Sequence, residues 1–180
     1  MIGRKLPLSL KQIRSIRIRL KSARQMRELA LFNLAVDSNL SACDIVQLRV
    51  CDIARGRHIL SRATVAQLEA QGAMRFEITD ETRDSVAAWI VHQELESDQY
   101  LFPSRLSESP HLSTRQYARL VASWVRSIGL DPGVYGTQSL RRTKAALIYR
   151  RTKSLLAAQL FLGHTRLRST ARFLGIEIQG

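Results

Sequence analysis

The side chains best suited to chemistry crowd into the last third of this chain. Gln138, Arg141, Arg142 and Lys144 share the run Gln138-Ser139-Leu140-Arg141-Arg142-Thr143-Lys144, and His164 directly follows Leu162-Gly163. Guanidinium groups opening a helix suit oxyanions, because their donors form a fixed fork, and an imidazole at a helix end can serve as a further phosphate ligand. The hydroxyls nearest His164 in sequence belong to Thr165, Ser169 and Thr170, the candidates for a nucleophile activated by that ring. The plain alternatives are a structural histidine and a solvated basic face. His58, His92 and His111 show no ligand spacing. Cys43 and Cys51 are too few and too isolated for a disulfide scaffold or a zinc cluster, and read as reduced core residues.

Charge points the same way. The 180 residues carry 28 Lys and Arg against 15 Asp and Glu, a formal net charge of +13. Each phosphate that a cation neutralises releases condensed counterions, so such a chain is drawn to a polyanion. Charge alone does not separate DNA from RNA or from an anionic membrane. Its placement says more. No acid occurs from Arg4 to Arg27, and within that stretch Ile13, Ile16, Leu20 and Ala23 recur at helical spacing, with Arg14, Arg17, Lys21 and Arg24 one position round. Between Asp131 and Glu177 the chain is again free of acids while carrying Arg141, Arg142, Lys144, Arg150, Arg151, Lys153, Arg166, Arg168 and Arg172. Two basic surfaces of this kind can grip one duplex from two sides. No apolar run approaches the roughly 20 residues of a membrane-spanning helix, and Met1 to Leu8 lacks the apolar core of a signal peptide. A cytoplasmic protein with no membrane partner is expected.

The elements that must position these groups read as mainly α with a small antiparallel β-sheet, an α+β fold in one unit over 1–180. Ser22 to Val36 predicts a helix with Met26, Leu29, Phe32 and Leu34 inward, and a second helix follows Ser41, whose spacing to Asp44 resembles a capping box. Ile59 to Val65 and Met74 to Ile78 are strand candidates joined by Ala70-Gln71-Gly72 as a hairpin tip. Thr79-Asp80 starts a helix carrying Val86, Trp89, Ile90 and Leu95, and Tyr100 to Ser104 is a short extended piece. Ser113 caps a helix with Tyr117, Leu120, Val121, Trp124 and Ile128 inward and Gly129 at its end. Leu140 to Arg151, Ser154 to Leu162 and Arg168 to Phe173 complete the helices.

The order of these elements and their motifs resembles the catalytic domain of the tyrosine recombinases and integrases, in a short bacterial form without a separate core-binding or arm-binding domain. The resemblance runs over nearly the whole chain: Leu48-Arg49-Val50-Cys51-Asp52-Ile53, Arg75-Phe76-Glu77-Ile78-Thr79, Leu101-Phe102-Pro103-Ser104-Arg105, Leu112-Ser113-Thr114-Arg115, Ile128-Gly129-Leu130-Asp131-Pro132, and the closing block with Ser169-Thr170-Ala171-Arg172-Phe173. It implies an anion cradle of two arginines and one or two histidines around a scissile phosphate. It also implies a tyrosine that forms a 3′-phosphotyrosyl link and a hairpin lysine that protonates the leaving 5′ oxygen. It implies no metal or nucleotide cofactor.

Carried across residue by residue, the resemblance sets the second arginine at Arg141 and the histidine of the Leu-Gly-His block at His164. The histidine of the His-x-x-Arg motif falls on Gln138, which cannot shuttle a proton. The first arginine falls on Ser41, the hairpin lysine on Glu69, and the nucleophile on Phe173, whose ring carries no oxygen. Arg49 or Arg75 is the alternative source of charge if the register shifts. Tyr149, in an apolar Leu147-Ile148 context, reads as packing, and Tyr100, Tyr117 and Tyr135 fall in segments that the family uses for structure.

Three expectations follow. One is a protein that binds double-stranded DNA on a recombinase fold and performs no strand transfer. Another is a recombinase with an unconventional nucleophile. A third is a subunit that associates with itself or with an active recombinase.

Overall fold

The computed structural model describes residues 4–68, 72–105 and 109–177. Where local sequence dictates a cap, a helix starts there. Ser9 accepts from Gln12 N while Gln12 accepts from Ser9 N, so α1 (Leu10–Ser22) opens in a capping box. It buries Ile13, Ile16 and Leu20. The chain then turns through Arg24 at φ 54° and enters α2 (Met26–Asp37). The helix expected from Ser22 to Val36 therefore starts later, at Met26, and Ala23 and Arg24 are exposed turn residues outside the stripe of α1. From Ala30 to Asp37 every residue of α2 is buried, which makes it the central rod of the molecule.

Ser41 caps α3 (Ala42–Val46) by accepting from Asp44 N at 3.2 Å, and its hydroxyl donates to Asp44 Oδ2 at 2.9 Å. After α4 (Val50–Ile53) come two hairpins. In the first, β1 (Ala54–Arg55) pairs with β2 (His58–Ile59); in the second, β3 (Arg62–Ala66) pairs with β4 (Ala73–Glu77) in the register Arg62 to Glu77 through Ala66 to Ala73. The strand expected from Ile59 to Val65 is thus divided between two small sheets. In β3 and β4 burial alternates, with Ala63, Val65, Met74 and Phe76 inward. Ala70 and Gln71 of the expected tip lie outside the described residues.

Asp37 ties α2 to the next element: its Oδ2 accepts from both Thr79 N and Thr79 Oγ1 at 2.9 Å, where α5 (Asp80–Gln93) begins. Tyr100 pairs with Arg49 in an isolated bridge, Leu101 N donates to the Leu48 carbonyl, and the Leu101 and Phe102 carbonyls accept from Trp89 Nε1 and Leu112 N, so the expected extended piece is held by single contacts and not by a sheet. Ser113 caps α6 (Thr114–Ser127), which buries Tyr117, Val121 and Trp124 against α1 and α3. Trp89 and Trp124 are core residues, as expected, at 6% and 3% exposure. Cys43 and Cys51 are half-buried rather than core, and form no disulfide.

The last three helices are α7 (Thr137–Thr152), α8 (Leu155–Leu162) and α9 (Leu167–Leu174). An N-terminal strap fastens α7 and the loop before it: Leu6 N donates to the Val134 carbonyl, Leu8 N to Thr143 Oγ1 at 3.1 Å, and Arg142 Nη1 to the Lys5 carbonyl at 3.0 Å. No helix among the described residues is long and apolar enough to cross a membrane.

Candidate nucleic-acid interface

Three elements meet around one polar cleft of about 460 Å³: the turn after α2, the β3–β4 hairpin, and the ends of α7 and α8. Its charged and polar rim is formed by Asn39, Gln67, Arg75, Arg141 and His164. Arg141 stands on the second turn of α7, half-buried, and its Nε donates to the Asn39 carbonyl at 3.3 Å. That bond fixes the guanidinium at the C-terminal end of the central rod. Beside it Asn39 Oδ1 is buried and accepts no hydrogen bond from a described residue.

His164 enters the cleft because α8 stops at Gly163, whose φ of 71° lies where side chains are strained. Its ring is held on two sides. Nδ1 shares a hydrogen bond with Thr170 Oγ1 at 3.0 Å, and the Phe173 ring packs edge-on at 5.7 Å between centroids. Burial pulls the imidazole below its ordinary value, and the Arg141 charge pulls it further. The neutral ring with Thr170 donating to Nδ1 leaves Nε2–H as a donor, the form that hydrogen-bonds a phosphate oxygen.

Arg75, on β4, brings a second guanidinium to the cleft from the sheet side. Of the two alternative arginines only this one reaches it. Arg49 lies over the Tyr100 ring at 4.1 Å and donates to Tyr100 Oη and to the Asp98 carbonyl, so it braces the α3–α4 region. Arg75, Arg141 and His164 together present donors of one sign to one cavity, which is what a phosphate needs.

The other expected positions are scattered. Ser41 has its hydroxyl taken up by Asp44 in the cap of α3, and is absent from the rim of the cleft. Glu69 lies outside the described residues. Gln138 is exposed on the first turn of α7. The helix starts three residues earlier than its apolar periodicity indicates. Phe173 fills the space between His164 and Arg142, whose guanidinium lies 5.1 Å from the ring centroid. Thr170 has no exposed surface, so its hydroxyl orients His164 and does not face the cleft. None of the tyrosines lines the cleft, and Tyr117 is fully buried, which pushes its phenol well above the usual range.

The expected DNA contacts divide into two groups. Arg14, Arg24, Arg166, Arg168 and Arg172 are exposed and Lys144 half-buried, and none of them forms an ion pair with a described residue. Arg168 and Arg172 of α9 share a basic cavity of about 490 Å³ with Arg4. Three others are engaged internally. Arg17 pairs with Glu81 at 3.3 Å and its Nε donates to Asn33 Oδ1 at 2.7 Å; Lys21 pairs with the same Glu81 at 2.9 Å. These two basic groups of α1 fasten it to α5, and together hold the Glu81 carboxyl below its ordinary value despite its partial burial. Arg142 holds the strap through Lys5. Sequence reasoning missed Asn39, Gln67 and the orienting role of Thr170, because a backbone carbonyl and a hydroxyl inside a helix have no periodic signature.

The fold that carries this cleft is shared with known proteins. A probable integrase/recombinase of Bacillus subtilis (strain 168), YoeC, is 26% identical over 155 residues, covering 84% of this chain and 78% of that protein. The XerA recombinase structure superposes with a TM-score of 0.78 at 16% identity, covering 97% of this chain and 62% of that one. The XerH site-specific recombinase, solved in a pre-cleavage complex with its difH substrate, gives 0.74 at 17% identity, covering 94% and 51%. The chain therefore spans between half and two thirds of these structurally similar chains, and residues 8–177 match the phage integrase family, to which the chain belongs.

Proposed function

We propose that this protein binds duplex DNA through the cleft and the exposed basic residues of α1, α7 and α9, in the cytoplasm, and forms no phosphotyrosyl link. The observation that carries the reading is Phe173. A ring without an oxygen packs against His164, the one imidazole of the cleft, where the family places its nucleophile. The cleft retains binding groups and lacks a reacting one. Arg141 and His164 Nε2 hold a phosphate, and Arg75 supplies a second charge where Ser41 leaves none. A neutral, exposed Gln138 adds one hydrogen bond at most. Among the described residues Thr165 and Ser169 form no hydrogen bond with His164 and neither lines the cleft, which supports the absence of an activated hydroxyl. The XerH and XerA likeness supports a recombinase fold as the platform, and a partner copy or an active recombinase would supply the second half of a grip around the duplex.

The test uses labelled duplexes from the protein's own genomic neighbourhood, following mobility shift and detergent-resistant adducts in the same samples. A salt-sensitive shift without adducts is expected for the protein and also for Phe173→Tyr, because Ser41, Glu69 and Gln138 remain in that variant. An adduct formed by the unmodified protein overturns the reading.

A further inference from the structure

A second arginine pair lies away from the cleft. Arg27, on the first turn of α2, and Arg105, three residues past Phe102, line a cavity of about 320 Å³ together with Trp89, His92 and Gln93 of α5. Neither guanidinium forms an ion pair with a described carboxylate, and Arg27 Nε is buried without a hydrogen-bond partner. The adjacent Glu28 accepts from Trp124 Nε1 at 2.8 Å and so faces the core. Burial and then the Arg105 charge hold the Arg27 guanidinium below its ordinary value, with Glu28 opposing. Like charges that converge on a cavity repel unless an anion sits between them, and a buried N–H without an acceptor keeps its full desolvation cost. His92 and Gln93 add N–H donors to the rim, and no carboxylate among the described residues lines it. One oxyanion answers both needs.

We infer that Arg27 and Arg105 form a second phosphate site, which holds a backbone phosphate of the same duplex that occupies the cleft. This rests on the DNA-binding reading above. The two sites stand at opposite ends of α2: with a rise of 1.5 Å per residue, its 12 residues set Arg27 and the Asn39 carbonyl about 18 Å apart. Successive phosphates of one strand advance about 3.4 Å along the axis, so a duplex lying along α2 covers this distance in roughly five steps. A net charge of +13 favours a polyanion over an isolated carboxylate as the occupant.

Two measurements on the full chain test it. In the first, inorganic phosphate is titrated while the Trp89 indole N–H and His92 ring resonances are followed. Saturable shifts are expected for the protein and not for Arg105→Gln; no shift in the unmodified protein overturns the site. In the second, duplex affinity is measured against salt concentration. Arg105 is exposed and donates no hydrogen bond among the described residues, so Arg105→Gln leaves the melting temperature unchanged and makes the log–log salt slope shallower by about 0.9. An unchanged slope with phosphate still bound overturns the shared-duplex assignment in favour of another acidic partner. Failure of the unmodified protein to bind any duplex overturns the DNA-binding reading, and with it the shared duplex, while the resonance titration still decides the phosphate site.

Discussion

Arg141→Gln is the substitution that weighs the cleft. The guanidinium is fixed by one hydrogen bond, Nε to the Asn39 carbonyl at 3.3 Å, and this leaves its terminal nitrogens for a phosphate. Hydrogen bonds to a charged group contribute about 1.5–3 kcal/mol. At 1.36 kcal/mol per tenfold, the loss corresponds to roughly 10- to 150-fold weaker duplex binding. One fewer neutralised phosphate also makes the salt slope shallower by about 0.9. The structural penalty is small, because the bond to Asn39 is long and Arg141 is only half-buried. Fluorescence anisotropy with a labelled duplex between about 50 and 200 mM salt reads both quantities, a range over which contacts of this kind lose most of their strength. Thermal melting of the same samples separates binding from folding. If the variant keeps the affinity and slope of the unmodified protein, the cleft holds no phosphate and the argument from Arg75, Arg141 and His164 fails.

Two further outcomes follow from the same contacts. Asp37→Ala leaves Thr79 N and Oγ1 without their acceptor in a site where Asp37 itself is 2% exposed; the loss of about 1–3 kcal/mol lowers the melting temperature by roughly 2–12 °C at 2–4 °C per kcal/mol, and Asp37→Asn, which keeps one carbonyl oxygen, falls less. An Asp37→Ala melting curve that overlays the unmodified one would remove that tie between α2 and α5. His164 has a folded-state value below its ordinary one of about 6.5, so the folded protein binds fewer protons than the unfolded chain just below that pH. Its contribution to stability is therefore complete above about 6.5, declines as pH falls towards the folded value and levels off below it. A bound phosphate opposes that depression, so duplex binding takes up a proton and strengthens over the same fall in pH; His164→Gln abolishes the dependence, and a pH profile unchanged by the substitution would assign it elsewhere.

The helices that carry the site were legible because their starts are local chemistry. Ser41 with Asp44 and Ser113 with Gln116 hold the expected caps, and α8 and α9 begin within one residue of expectation. The first hairpin was not, since strands of two residues have no period to read. Nor was the break between α1 and α2, where a non-glycine residue, Arg24, adopts a positive φ that its type does not signal. Motif order placed Arg141 and His164 together, and both line one cleft; it gave no means of choosing between Arg49 and Arg75, because the packing that lays Arg49 on Tyr100 has no local signature.

The largest gap between pattern and structure concerns charge itself. A basic stripe on a helix looks the same in sequence whether its partner is a phosphate or a carboxylate 60 residues away, as Lys21 and Glu81 are. Arg17, Lys21 and Arg142 are used to assemble the molecule, while Arg14, Arg24, Lys144, Arg166, Arg168 and Arg172 are not. The salt dependence of DNA binding counts only the second kind together with the cations of the cleft. Net charge then sets how strongly the protein is drawn towards a duplex. On the proposed reading, the guanidinium pairs that line cavities, Arg141 and Arg75 at one end of α2 and Arg27 and Arg105 at the other, determine where it settles.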